Sequence, residues 1–345
     1  MKTTSISSLP LELLPFLVLL VSATSCPAAL LSYEGFDYPS GSSIVGQSGG
    51  FGFSQAWQPN GSIGVLTNQG YSPSYTDPQG NRLVTVGGSL FLQGSITNSP
   101  DVATQPNRLL SYSRGTNAGG TDSTTTWVSF LVLRQGPTTN NPSVPNNPYP
   151  RSANLSLYNS GPPNTEKLAM GNTALTTSNV VSLLPGGANT KASSVSYSRT
   201  NFIVVRIEHI TGTALDNAYL FVNPSLASEP TISQADTNSI GQFDFSFNRI
   251  RPFAGGDRPS AASPYAELIL DEIRIGETYA DVAPYVPPPL SIARIGGEVI
   301  LSWPGSSPKL QAAGTITGAY TNVSGATSPY TNSLAGPQLF FRLSN

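Results

Sequence analysis

The stretch FIVVRIEHI at Phe202–Ile210 predicts a β-strand, because it is rich in β-branched residues and alternates in character. Successive side chains of a strand point to opposite faces. Three aliphatic side chains and His209 therefore share one face, whereas Arg206 and Glu208 lie on the other. The pattern indicates a strand with one face in a core and the other partly in contact with water.

Other stretches predict strands of the same kind. The clearest are Trp127–Leu133, Ala218–Val222 and Glu267–Ile275, and the weaker ones are Leu83–Val86, Ser89–Leu92, Asn154–Tyr158 and Gln242–Phe247. None has the length of a typical buried helix, and 33 glycines and 30 prolines disfavour long helices. Two antiparallel sheets packed face to face account best for this all-β pattern.

The charge composition limits the classes of partner. Lys and Arg number 17 against 19 Asp and Glu, which gives a net charge of −2. Nucleic-acid binding needs a basic surface, so nucleic-acid partners are excluded. The hydrophobic content of 38% is enough for a packed core, which excludes general disorder.

Residues 1–29 have the features of a secretory signal peptide. They contain Lys2, the mainly apolar stretch Leu9–Val21 and small residues after it. The apolar run is shorter than the roughly 20 residues of a spanning helix, so we expect a secreted, extracellular protein without a membrane span. Cys26 is the one cysteine and lies in a degenerate lipoprotein-like sequence, so a lipid anchor at Cys26 is the alternative.

Proline marks a division of the remaining chain. The sequence PYVPPP at Pro284–Pro289 predicts a stiff linker, since a proline run cannot join a sheet ladder in mid-strand. We expect a large β domain at residues 30–283 and a small β module at residues 290–345. In the small module, Gly296 and Gly297 predict a hairpin turn between two strands.

Several short motifs resemble those of a known group of proteins. They are YEGFDYP at Tyr33–Pro39, GFGFSQAW at Gly50–Trp57, WVSFL at Trp127–Leu131, LDEIRIG at Leu270–Gly276, VILSWP at Val299–Pro304 and FFRL at Phe340–Leu343. The chain resembles secreted proteins of planctomycetes and verrucomicrobia that belong with LamG-like, concanavalin A-like jelly-roll domains. The resemblance implies a concanavalin A-like jelly-roll β-sandwich, which we expect to be followed by a small fibronectin-like β module. Hydrolases of that superfamily usually carry Glu-x-Asp-x-Glu on one strand, a pattern that is missing from this sequence.

The sequence contains no clear catalytic constellation. A retaining glycosidase needs two carboxyl groups about 5 Å apart, whereas Glu267 and Asp271 share a strand face at about 13 Å. His209 is the one histidine, which excludes a zinc cluster, and we expect it at the edge of the core. Asp271 is expected to accept hydrogen bonds from backbone N–H groups, and Glu272 to pair with Arg274. We therefore assign no catalytic residue.

Aromatic rings combined with amide and carboxylate groups are typical of carbohydrate sites. The candidate ligand-binding residues are Trp57, Tyr71, Tyr75, Tyr112 and Tyr158. Core packing is the alternative for Trp57, because tryptophan is mostly buried. Calcium is the one metal considered, since loops rich in oxygen ligands suit it. Its candidate ligands are Asp37, Asp216, Asn217, Asp257 and Asp271.

These features favour a secreted, non-catalytic binding or adhesion protein that recognises glycans or other extracellular polymers, such as a polysaccharide or a glycoprotein. The first alternative is a divergent glycoside hydrolase or polysaccharide lyase-like enzyme. The second is a structural component of a surface or matrix. A pair of carboxyl groups in a groove would favour the enzyme.

Overall fold

The structure is a computed structural model that describes residues 29–59, 66–94, 103–115, 123–135, 151–160, 165–173, 179–186, 189–212, 214–242, 244, 246–255, 265–304 and 308–344. The predicted signal peptide up to residue 28, with Cys26, and the candidate ligand Asp257 lie outside these residues. No helix in the described part of the chain is long and apolar enough to cross a membrane.

Strands make up most of the described chain. They are β1 (Leu30–Glu34), β2 (Leu66–Gln69), β3 (Arg82–Leu83), β4 (Ser89–Gln93), β5 (Arg108–Arg114), β6 (Thr124–Gln135), β7 (Ala153–Asn159), β8 (Thr165–Asn172), β9 (Val180–Pro185), β10 (Lys191–Ser196), β11 (Asn201–His209), β12 (Asn217–Val222), β13 (Thr237–Ile240), β14 (Phe247–Ala254), β15 (Glu267–Gly276), β16 (Tyr285–Val286), β17 (Ser291–Ile295), β18 (Glu298–Ser302), β19 (Lys309–Ala313), β20 (Thr321–Asn322), β21 (Tyr330–Ser333) and β22 (Phe340–Ser344). One turn of α-helix, α1 (Tyr279–Val282), and a short 3₁₀ turn (Ile232–Gln234) accompany the strands.

Two antiparallel sheets form the body of the molecule. Sheet 1 has the order β13-β12-β11-β6-β15-β4-β2, and β1 also pairs with β15. Sheet 2 has the order β10-β9-β8-β7-β14-β5. Their inner faces share one large core, in which Val128, Phe130 and Ile203 of sheet 1 and Leu155 and Met170 of sheet 2 are fully buried. The expected all-β jelly-roll sandwich is confirmed.

The four clearest predicted strands are confirmed as β6, β11, β12 and β15, each within a few residues of its predicted bounds. The expectation for His209 is also confirmed, because it lies buried at the end of the inward-facing side of β11. Two weaker predictions fail in part. The strand at Leu83 ends there instead of reaching Val86, and β14 begins only at Phe247, where the predicted strand ends.

Loops and α1 cover the outer face of sheet 1. A second hydrophobic cluster packs Trp127, Phe202 and Phe221 of the sheet against Leu226 and Tyr279 of the covering segments. The Trp127 and Tyr279 rings meet edge to face at 5.4 Å between centroids. Apolar packing therefore covers these parts of the outer face of sheet 1.

A buried ion pair connects the two sheets. Glu34 of β1 pairs with Arg108 of β5, and their side chains are 0% and 3% exposed. The Glu34 carboxylate also accepts hydrogen bonds from the Phe36 N–H at 2.9 Å, the Tyr38 hydroxyl at 2.7 Å and the Trp57 indole N–H at 3.0 Å. One carboxylate therefore fixes the first strand, its following loop and sheet 2 together.

Strand β15 changes partner halfway along its length. Its first residues pair with β4 and its last with β1, and the register with β6 shifts between Asp271 and Arg274. Glu272 sits at this irregularity with φ of 55°, in the left-handed region that few side chains adopt. The Glu272–Arg274 ion pair predicted from the sequence is confirmed.

The end of the chain forms two three-stranded sheets, β17-β18-β21 and β20-β19-β22. Leu301, Trp303 and Leu310 make a small core of their own. Gly296 has φ of 61°, as the predicted hairpin turn requires. In the predicted linker, Tyr285–Val286 pairs with β3, so this part of the proline-rich stretch joins a ladder instead of spanning free, because neither residue is itself a proline. The domain boundary stays a prediction.

Candidate functional site

The outer face of sheet 2 carries polar side chains because its central strands alternate. In β7, Leu155 and Leu157 enter the core, which turns Ser156 and Tyr158 outward. The register of β7 with β14 places Arg251 opposite Ser156. These side chains therefore lie side by side on one face.

Together with Glu166 of β8 and Gln105, which precedes β5, they form what we call the Arg251 cluster: Gln105, Ser156, Tyr158, Glu166 and Arg251. The Arg251 guanidinium lies 2.7 Å from a Glu166 oxygen and donates to the Gln105 amide oxygen at 2.6 Å. It also stacks over the Tyr158 ring at 4.2 Å. The Ser156 hydroxyl, at 2.7 Å, and the Tyr158 hydroxyl, at 3.3 Å, reach the same Glu166 oxygen.

Arg251 and Glu166 of the cluster are recessed but accessible to solvent, whereas Ser156 is fully buried. The Arg251 side chain is 13% exposed and that of Glu166 is 26% exposed. Burial raises the pKa of the Tyr158 phenol; the positive charge of Arg251 opposes this shift and the negative charge of Glu166 adds to it. The phenol therefore stays protonated at neutral pH, and the cluster offers fixed donors and acceptors together with an aromatic edge.

Two of the predicted ligand-binding aromatics are core residues. Trp57 is fully buried, stacks on Phe36 at 5.9 Å and donates its indole N–H to Glu34. Tyr75 is 8% exposed, stacks on Phe202 at 5.4 Å and donates its hydroxyl to a backbone carbonyl. Their rings present no free face to a ligand, which corrects the assignment of both to a binding surface.

The other three predicted aromatics lie nearer the surface. Tyr158 belongs to the Arg251 cluster, and Tyr71 is 52% exposed. Tyr112 packs against the main core, and its hydroxyl lies 2.8 Å from the Ser32 hydroxyl. The structure therefore places one of the five predicted aromatics in the cluster.

Four of the five candidate calcium ligands, Asp37, Asp216, Asn217 and Asp271, lie within the described residues. Among the described residues, no three His, Cys, Asp or Glu side chains are grouped so that they could hold a metal. Asp216 lies 3.3 Å from His209 and accepts the Ile210 N–H, and Asn217 donates to Glu208. Asp37 is exposed. Calcium binding stays a prediction.

The surroundings of Asp271 are those of a buried residue that stabilises the fold. It is fully buried, and it accepts the Glu272 N–H at 2.7 Å, as predicted from the sequence. Its other oxygen contacts the Ser72 hydroxyl, which also lies 3.0 Å from the Pro73 carbonyl. A hydroxyl has one proton, so it cannot donate to both acceptors. A protonated Asp271 resolves this conflict by donating to Ser72, while Ser72 donates to Pro73.

We expect this arrangement to make stability depend on pH. Burial, reinforced by the neighbouring Glu272 charge, holds the pKa of Asp271 well above its ordinary value. The folded state therefore binds a proton that the unfolded state releases above about pH 4, so the contribution of Asp271 to stability is greatest below that pH and declines as pH rises toward its folded pKa.

The variant Asp271→Asn imitates the protonated acid. We expect the melting temperature of the variant, relative to that of the parent chain, to rise between pH 4 and pH 7, and the variant to be at least as stable as the parent chain at pH 7. Thermal unfolding followed by circular dichroism across this range provides the measurement. A steeper pH dependence in the variant would show that Asp271 is ionised in the folded state.

Two surface cavities lie along the loop of residues 224–236. The larger, of about 550 Å³, is lined by Leu226, Tyr279 and Tyr285 with Glu229 at its edge. The smaller, of about 230 Å³, includes Asp236, whose pKa is raised by burial. Each cavity includes one charged side chain, whereas the Arg251 cluster has two of opposite sign.

Sequence reasoning missed Gln105, Ser156, Glu166 and Arg251. Pro252 follows Arg251 in the strand, and proline argues against a central strand, although arginine and apolar residues alternate in FNRIRPFA. That alternation of arginine with Ile250 and Pro252 was the signal that could have identified the outward-facing arginines.

Comparisons with known proteins concern the architecture. No family model matches the chain, and no curated protein matches it. Among solved structures, it is similar to an endo-β-1,4-glucuronan lyase of the fungus Trichoderma reesei, with 9% identity and a TM-score of 0.46 over 74% of this chain and 99% of that chain. A pseudo β-1,3-glucanase of Mycobacterium tuberculosis gives 15% identity and 0.35 over 72% and 99%. Lectin I of Ulex europaeus, in complex with a methyl fucoside, gives 11% and 0.29 over 63% and 99%. Since all three TM-scores lie below 0.5, none bears on what this chain binds or catalyses.

Proposed function

We propose that the chain is a secreted, non-catalytic glycan-binding protein and that the Arg251 cluster contacts the glycan. The main support is that a guanidinium, a carboxylate and a phenol on the outer face of sheet 2, with an amide from the adjoining loop, form one hydrogen-bonded group at the surface. Planar polar groups beside aromatic rings suit the hydroxyl groups and the apolar faces of sugars.

The rigidity of the cluster supports binding. Arg251 is held by Glu166, Gln105 and the Tyr158 ring, and the Phe253 ring lies 5.1 Å from it. A guanidinium that is already ordered loses little conformational freedom when a ligand arrives. The face is therefore organised before the ligand binds.

The charge content of the cluster favours binding over hydrolysis. Glu166 is the single carboxyl group of the cluster, and it is ion-paired with Arg251. Retaining glycoside hydrolysis requires a second carboxyl about 5 Å away. A polysaccharide or a glycoprotein outside the cell is the partner class that we propose, and removal of residues 1–29 during export would deliver the protein there.

A carbohydrate microarray probed with the chain from residue 30 onward, with and without calcium, tests the function. We expect binding to at least one glycan class. Replacing Arg251 by methionine should weaken that binding by about 10-fold or more, because hydrogen bonds to charged groups contribute roughly 1.5–3 kcal/mol.

The matched control is Arg342→Met. Arg342 also stacks over a tyrosine, Tyr320 at 4.3 Å, and donates to a glutamine, Gln311 at 2.8 Å, but it lies in the C-terminal strands. We expect this variant to bind like the parent chain. Absence of binding to every glycan in both conditions, or equal losses in the two variants, would refute the proposal.

A further inference from the structure

Arg134 places a positive charge inside the sandwich. It follows Val132 by two positions in β6, so it shares the inward-facing side of that strand with core residues. The residue is 2% exposed. Burial lowers the pKa of the guanidinium to about 10, which still leaves it charged at neutral pH. A buried arginine of this kind normally pairs with a carboxylate.

The described partners of Arg134 do not neutralise it. Its Nη1 group donates to the Asn172 side-chain oxygen, which is a neutral acceptor. No described carboxylate forms an ion pair with it. Its Nε and Nη2 atoms are buried and have no hydrogen-bond partner among the described residues. These two atoms form the edge of the guanidinium that binds oxyanions with two parallel hydrogen bonds.

Tyr197 supplies another polar atom to the same place. It is fully buried, the Asn172 backbone N–H faces its hydroxyl oxygen, and no described acceptor takes its hydroxyl proton. Arg134 and Tyr197 are close enough that the charge of each affects the pKa of the other. The hydroxyl also lies against Gly171, where a Cβ added to the glycine would come within 2.6 Å of it. The free donors of the two residues thus occupy one region of the interior.

We propose that a small monovalent anion, of the size of chloride or formate, binds between the Nε–Nη2 edge of Arg134 and the Tyr197 hydroxyl. Such an anion satisfies the free donors and cancels the buried charge. A water molecule could accept the hydrogen bonds, but it would leave the charge uncompensated. The site is internal and structural, so it is independent of the proposed glycan-binding face.

The test measures thermal unfolding of the chain from residue 30 onward in gluconate, a bulky anion, and replaces gluconate stepwise by chloride or by formate at constant ionic strength. Binding to the folded state raises the melting temperature along a saturation curve. Screening of surface charges does not, because the ionic strength is fixed. The ion giving the lower half-saturation concentration identifies the preferred anion.

Variants and crystals separate the site from general salt effects. Arg134→Met should lose the response, Tyr197→Phe should shift it to higher anion concentration, and Arg294→Met, a change in the fully exposed strand β17, should retain it. If Arg134→Met fails to fold, bromide-soaked crystals of the parent chain decide: an anomalous peak beside Arg134 supports the proposal, and a water molecule there overturns it. A response that is absent from the parent chain, or unchanged in Arg134→Met, also overturns it.

Discussion

Replacing Arg108 by methionine is expected to destabilise the folded chain by about 3–5 kcal/mol, the range for removing one partner of a buried ion pair. The variant leaves the Glu34 carboxylate fully buried with three remaining donors from its own segment of chain. It also removes the contact between β1 and β5, one in each sheet, and the stacking of Arg108 over Phe53 at 4.1 Å. Urea unfolding monitored by tryptophan fluorescence measures the change.

Two further variants separate the ion pair from general effects of losing an arginine. Arg206→Met removes an arginine from a pair with Glu208 whose side chains are 25% and 24% exposed, and it should cost no more than about 1 kcal/mol. The double variant Glu34→Gln with Arg108→Met should recover part of the loss, since no unpaired charge remains. Equal costs for Arg108→Met and Arg206→Met would contradict this account of the buried pair.

The second large effect is expected at Gly52. Its φ is +83°, and a Cβ added there would lie 2.2 Å from the Leu31 carbonyl oxygen of β1. Gly46 has nearly the same φ, +84°, but a Cβ added at that position would have nothing within 4 Å. Replacing Gly46 by alanine should therefore lower the free energy of unfolding by only roughly 1–2 kcal/mol, the cost of placing a side chain on a left-handed backbone.

Alanine at Gly52 carries the same backbone penalty and also a clash with main-chain atoms that cannot rotate away. We expect a total of about 3 kcal/mol or more, since overpacking adds roughly 1–3 kcal/mol. Melting temperatures of Gly52→Ala and Gly46→Ala, measured side by side, isolate the clash. If the two variants have the same melting temperature, residue 52 does not approach β1 as closely as described.

The success of the strand predictions follows from local physics. In β6, β11, β12 and β15, runs of β-branched and aromatic residues show the character of a strand without knowledge of the rest of the molecule. The strands β8 (TEKLAMGN) and β10 (KASSVS) lack that composition. They belong to sheet 2 because neighbouring strands provide their pairing, a tertiary effect that a short window of sequence does not contain.

The candidate site could not be predicted from short windows of sequence either. The Arg251 cluster unites residues from four separate segments, and Arg251 and Gln105 are 146 positions apart. Only Tyr158 was predicted, because an aromatic side chain is noticed by type alone. Trp57 was a candidate for the same reason, yet its indole N–H finds its acceptor at Glu34, 23 positions earlier, and the ring is withdrawn into the core. Residue type indicates what a side chain can do, whereas only the pairing of strands determines where it does so.

The pairing of β1 with β15 sets an order of events for folding. The Tyr33 hydroxyl donates to Glu272, a residue 239 positions later in the chain, so the earliest strand finds its partner only when most of the polypeptide has been made. Until then its hydrogen-bonding edge and the carboxylate of Glu34 lack some of their native contacts. Pairing over such a separation favours slow folding, and it cannot be completed before residue 276 has been made.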